Sequence, residues 1–69
     1  MEELILTKSF ITLGQLLQVS GFAGSGAEAK ILVKELTITV NQETENRRGR
    51  KLYAADVVTI NGQRFLIKQ

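Results

Sequence analysis

The stretch SGAEAKILVKELTITVN, Ser25 to Asn41, changes its apolar period at Leu36. Before that point Ala29, Leu32, Val33 and Leu36 recur at i, i+3, i+4 and i+7, a single stripe along one side of a helix. Beyond it Ile38 and Val40 alternate with Thr37 and Thr39, the period of a half-buried strand. Ser25 with Glu28 three residues on has the form of a capping box, so a helix is predicted over 25–36. A helix that hands over directly to a strand, inside a chain of 69 residues, sets the class as α+β.

Toward the N-terminus, TLGQ (Thr12 to Gln15) is a second capping box, followed by Leu13, Leu16 and Leu17 at helical spacing. Gly21 stands where a left-handed residue ends a helix, and Phe22 can then pack back on Leu17, which predicts a helix over 12–20. The link GFAG is short enough to make the two helices pack on each other. Residues 2–6 alternate weakly as a short strand. Toward the C-terminus, 41–51 is predicted as a loop. Val57 to Ile60 and Arg64 to Lys68 then flank Asn61-Gly62, a type I′ hairpin signal. No repeat, proline or linker interrupts the chain, so residues 1–69 are expected to form one domain, two packed helices on a small antiparallel sheet.

Residue types that are absent narrow the chemistry. The chain has no Cys and no His, which excludes disulfides, the common zinc-ligand sets and Ser-His or Cys-His nucleophile pairs. A chain of this size buries roughly 60% of its unfolded surface and has little room to enclose a substrate. We expect a non-enzyme with no cofactor, no metal and no small-molecule substrate. No apolar run approaches the ~20 residues that span a bilayer, and MEELILTKSF begins with acids rather than a basic leader. A soluble, cytoplasmic monomer is the expectation.

Charge is the remaining signal. Through Asn46 there are three cations against six acids; from Arg47 onward there are six cations against one acid, Asp56. Four of those six lie in the five residues Arg47-Arg48-Gly49-Arg50-Lys51. Like charges so crowded repel, and Arg rather than Lys at three of the four positions suits forked contacts to phosphate oxygens. The loop is expected to stand free for a polyanion, with Gly49 letting it turn so that Arg48 and Arg50 face one ligand. The competing reading pairs these arginines internally with Glu43, Glu45 or Asp56. Lys30 and Lys34 share a helix flank without an acid three or four residues away, and Gly26 lies on that flank in the first turn, where free amides attract phosphate. Ser25 and Glu28 read first as a structural cap. Phe10, Phe22 and Phe65 are assigned to the core, and Tyr53 fits either stacking on a base or half-burial in the sheet.

The same opening stretch resembles the RNA-binding module named after ribosomal small-subunit protein four, whose signature is Ser-Arg-Ser-Glu-Ala-Arg-x-Leu-Ile-x-x-Gly-x-Val-x-Val-Asn-Gly. Ser25, Glu28, Ala29, Leu32, Val40 and Asn41 match it outright, and Lys30, Val33 and Ile38 conservatively. AADVVTI (Ala54 to Ile60) resembles the module's Pro-Gly-Asp-x-Val/Ile stretch. ITLGQLL together with ENRRGRKL is similar to the small stand-alone bacterial members of the YaaA type. The resemblance covers about residues 10–61. It implies the αL motif and an RNA surface made from the second helix and the loop after the following strand. Carried over residue by residue, that surface is Ser25, Lys30, Lys34, Thr37, Arg47, Arg48, Arg50 and Lys51, and the first-turn reading above adds Gly26 to it.

Four positions depart from the pattern: Gly26 replaces an Arg, Leu36 the glycine that ends the helix, and Gln42 and Ala55 two turn glycines. The expected function is stand-alone binding of structured ribosomal RNA in ribosome assembly or maturation. The alternatives are a protein-interaction module gripping an acidic partner and an RNA-targeting accessory of a separate enzyme.

Overall fold

A computed structural model describes residues 1–69. Helix α1 runs Leu13–Val19 and helix α2 Gly26–Glu35. Strands β1 (Glu2–Ile5), β3 (Ile38–Val40), β4 (Glu43–Thr44), β6 (Val57–Ile60) and β7 (Gln63–Lys68) make one sheet in the order β1-β7-β6-β3-β4. Strands β2 (Ile11–Thr12) and β5 (Lys51–Leu52) form a separate two-stranded ribbon. The α+β expectation holds, with two differences. Strand β1 pairs with β7 in parallel, so the sheet is mostly rather than wholly antiparallel. The stretch 41–51 expected as a loop contains β4, paired with β3, and the first residue of β5, paired with β2. No helix is long and apolar enough to cross a membrane.

Both helices begin as their sequences direct. Thr12 Oγ1 accepts from the Gln15 amide at 3.2 Å, and Gln15 Oε1 accepts from the Thr12 amide at 2.9 Å, a complete capping box. At α2 the box is modified. Ser25 Oγ accepts from the Glu28 amide at 3.1 Å, but the Glu28 carboxylate reaches one residue further back, to the amide of Gly24. Gly21, at φ +87°, ends α1 in the left-handed region as expected.

The helix stripes and one face of the sheet close a single core. Leu13, Leu16 and Leu17 of α1 and Ala29 and Val33 of α2 meet Ile38, Val40, Val58, Ile60 and Ile67, all essentially without exposure. Phe65 joins them, and Phe22 packs half-buried at the edge. Phe10 does not: it lies outside the core, half-buried beside Tyr53 and Lys51.

Helix α2 stops without a glycine because its end is taken over by the distant hairpin. Leu36 is already extended, at φ −78° and ψ 150°. The next amide, Thr37, donates to Asn61 Oδ1 at 2.9 Å, while the Thr37 carbonyl accepts from the Asn61 amide at 2.8 Å. Asn61 (φ 48°) and Gly62 (φ +87°) form the expected type I′ turn, so one asparagine both reverses the chain and terminates a helix.

The two other missing glycines leave strain. Asn41 (φ 51°) and Gln42 (φ 72°) make a two-residue turn between β3 and β4, and Ala55 (φ 79°) sits in the turn closed by the Asp56 amide donating to the Tyr53 carbonyl. A left-handed conformation costs a non-glycine residue roughly 1–2 kcal/mol, and glycine returns part of that gain to the unfolded chain as entropy. Gln42→Gly and Ala55→Gly should therefore each stabilise the protein by roughly 0.5–1 kcal/mol, read as a higher denaturant midpoint. A lowered midpoint for both would show that the side chains contribute more than their backbone strain costs.

Candidate nucleic-acid interface

The basic loop is folded around a carboxylate. Glu45 lies opposite Ile38, whose carbonyl accepts from the Glu45 amide at 3.0 Å, and this register turns Glu45 toward the core. Its side chain is 6% exposed. An isolated charge there would be costly, so its oxygens are satisfied from several sides. Arg47 binds it with two nitrogens, Nε to Oε2 at 2.9 Å and Nη2 to Oε1 at 3.0 Å, and Arg50 Nη1 donates to Oε1 at 2.6 Å. The amides of Asn46 and Arg47 donate to Oε2 as well, at 3.1 and 3.0 Å. The Arg47 hydrogen bonds, aided by Arg50 and opposed by desolvation, lower the Glu45 pKa from 4.5 to about 2. The same contact raises that of Arg47.

The expectation of four free cations is thus corrected at Arg47 and Arg50, and the competing internal pairing holds for Glu45. Gly49 is corrected too, because its φ is not left-handed and a Cβ there would meet nothing within 4 Å. The loop turns instead through the Arg50 amide donating to the Arg47 carbonyl at 3.2 Å.

A second set of bonds holds the loop against α1. The Arg48 and Arg50 carbonyls accept from the Gly14 and Leu13 amides, at 2.9 and 2.8 Å. Those are first-turn amides with no partner inside the helix. The approach is possible because residue 14 is glycine; a Cβ there would come within 2.5 Å of Arg48 Cγ and 3.3 Å of the Arg48 carbonyl oxygen. Arg48 then extends across toward α2, with Nη1 3.5 Å from the Gly26 carbonyl oxygen.

This arrangement brings together four of the sequence-predicted residues. Lys30 and Lys34 of α2 face Arg47 and Arg48 across one surface hollow, which Val33, Asn46 and Gly49 complete. Neither lysine and not Arg48 has an ion-pair partner, and Arg47, with its side chain 70% exposed, keeps a face in solvent. A second hollow adjoins it, lined by Thr12, Gly14, Gln18, Gly26, Arg48 and Gly49. Gly26 therefore lies beside the site.

The other predicted residues stand apart from the first hollow. Ser25 is occupied as the cap of α2, Thr37 is tied to Asn61, Arg50 turns inward to Glu45, and Lys51 sits 4.9 Å from the Phe10 ring centroid. Gly14, Asn46 and Gln18 were not anticipated. Of these, only Gly14 left a sequence signal, a glycine in the first turn of a helix that would be better served by alanine.

The S4 domain profile matches residues 4–68. The chain belongs to the S4 domain family. A Bacillus subtilis (strain 168) protein named probable ribosome maturation protein RlbA is 52% identical over 52 residues, covering 75% of this chain and 73% of that protein. Within this S4 domain, all the loop and α2 residues described above fall inside the matched span.

The depressed value of Glu45 fixes a pH dependence. A carboxylate whose folded pKa lies below its ordinary 4.5 stabilises fully above that pH and loses the contribution as pH falls toward about 2. Glu45→Gln should cost about 2–3 kcal/mol at neutral pH, and its deficit relative to wild type should shrink through that acid window. Urea melts of both proteins from about pH 7 to pH 2 read this directly. A deficit independent of pH would mean that Glu45 acts by shape rather than by charge.

Proposed function

We propose that this protein is a non-catalytic RNA-binding module of the cytoplasm that docks on structured ribosomal RNA during ribosome maturation. The observation that carries the reading is the first hollow, where unpaired cations from a helix and from a rigid loop converge. Membership of the S4 domain family and the maturation name of the Bacillus subtilis relative support it.

The mechanism is positional. Lys30, Lys34 and Arg48 contact phosphates directly, and Arg47 adds its exposed edge while remaining bonded to Glu45. Arg50 works from behind by holding Glu45, and the open first turn at Gly26 lets a phosphate approach the amides of α2. Phosphate contacts carry no base information, so the module recognises RNA shape, such as a junction or groove edge. It acts as a monomer.

The test spares the residues that hold the loop together. Lys30→Gln, Lys34→Gln and Arg48→Gln combined should leave stability within about 0.5 kcal/mol, since none of the three supports a buried group. Affinity for a ribosomal RNA fragment should fall more than tenfold, and the slope of log K against log[salt] should shrink by roughly 0.7–0.9 for each phosphate contact removed. Unchanged affinity and slope would overturn the reading. A wild-type slope near zero, with tight binding to an acidic protein instead, would favour the protein-partner alternative.

A further inference from the structure

The β2–β5 ribbon carries an aromatic surface that neither the core nor the basic hollow uses. Ile11 pairs with Leu52 and Thr12 with Lys51, so the next antiparallel pair is Phe10 with Tyr53. Strand alternation turns Leu52, fully buried, toward the core and leaves Phe10, Thr12, Lys51 and Tyr53 on the opposite side. There the Phe10 and Tyr53 rings lie 6.0 Å apart, tilted by 53°, and the Lys51 ammonium stands 4.9 Å from the Phe10 centroid.

Tyr53 is held by its backbone and open at its ring. Its amide donates to Asp56 Oδ2 at 2.7 Å, and its carbonyl closes the turn to Asp56. The residue nevertheless stays 49% exposed, and its hydroxyl has no hydrogen-bond partner in the protein. Lys51 has no carboxylate partner either. An exposed ring on a bonded backbone, sharing a strand face with a cation that has no carboxylate partner, is the chemistry that receives a nucleobase and its phosphate.

The surface is also continuous with the proposed RNA site. Arg48 and Gly49 line both hollows, and Thr12 belongs at once to the second hollow and to the ribbon face. A single path therefore leads from the α2 lysines past Arg48 and Thr12 to Lys51 and Tyr53. We propose that this path is a track for one RNA strand leaving the structured part, ending where an unpaired nucleobase stacks on Tyr53 with Lys51 at its phosphate. The inference rests on the RNA reading above and adds to it a single-stranded subsite.

Tyr53 is the only tyrosine and there is no tryptophan, so intrinsic fluorescence reports this ring alone. Two synthetic RNA hairpins with the same stem, one blunt and one with a single-stranded uridine tail, are titrated at low salt, with absorbance corrected against free N-acetyl-tyrosinamide. The tailed hairpin should bind more tightly and quench Tyr53, whereas the blunt one should leave it bright. Tyr53→Ala and Tyr53→Leu should lose about fivefold or more in affinity for the tailed hairpin and nothing for the blunt one, and Tyr53→Phe should retain both.

Equal losses on the two hairpins, or a tail that neither tightens binding nor quenches, would overturn the subsite. If that happens while the Lys30, Lys34 and Arg48 variant still loses both RNAs, the basic hollow stands and only the track falls. Failure of wild type to bind either hairpin would overturn both.

Discussion

A buried carboxylate surrounded by arginine is the interaction on which the rest of the basic surface depends. Glu45 cannot lie 7% exposed against the core unless its charge is met, and five donors from three residues meet it: the backbone amides of Asn46 and Arg47 and the guanidinium groups of Arg47 and Arg50. Meeting it curls the chain from Glu45 to Arg50 into a tight cup. The outer wall of that cup is then bonded to the first turn of α1 through the Arg48 and Arg50 carbonyls. What the sequence presents as a cationic loop standing free for a ligand is held rigidly into the fold by these bonds.

That rigidity sorts the cations by what neutralises them. Arg50 and part of Arg47 are satisfied inside the protein, and the planar fork of Arg47 holds both oxygens of one carboxylate, a geometry that a lysine ammonium does not match. Arg48, Lys30 and Lys34 are left without a carboxylate partner. The crowding of charge therefore has two causes rather than one. Arg47 and Arg50 compensate a buried acid, and Arg48 is carried on the same backbone framework with its guanidinium free of any acid. Holding long side chains in place before binding reduces the entropy lost on association, which gives a structural role to Glu45 in any contact the surface makes.

The elements with a full period were legible in the sequence. Both helices lie within one residue of their expected ends, and the Asn61-Gly62 turn has the positive φ that its residues demand. The two-residue strands β2, β4 and β5 were not, since two residues cannot display a period, and they are fixed by partners far along the chain. The parallel pairing of β1 depends on closing the whole chain and leaves no local mark. Of the nine site residues expected, Lys30, Lys34, Arg47 and Arg48 line one hollow because helix periodicity and local charge both pointed there. The inward turn of Arg50 was legible only as the competing reading, with three acids to choose from, because an acid among arginines looks like ordinary surface until its strand register is known. Phe10 misled for the opposite reason: an aromatic ring suggests core, and only the ribbon's alternation turns it outward.

The register that buries Glu45 is set upstream, in a turn under strain. Asn41 and Gln42 reverse the chain in two residues, so Val40 faces Glu43, Thr39 faces Thr44, and Glu45 falls opposite Ile38 on the core side. The Asn41 side chain secures the turn from beneath, with Oδ1 accepting from the Val57 amide at 2.9 Å and Nδ2 donating to Asp56 Oδ1 at 3.0 Å. A slip of one residue in that turn would exchange the two faces of β4, placing Thr44 or Asn46 inward and Glu45 in solvent. The arginines would then lose the acid they enclose, and the loop would lose the shape that presents Arg48 to α2. Left-handed φ at Gln42, a conformation costing roughly 1–2 kcal/mol, is thus coupled to the basic surface: the tight turn that imposes it is what points Glu45 inward.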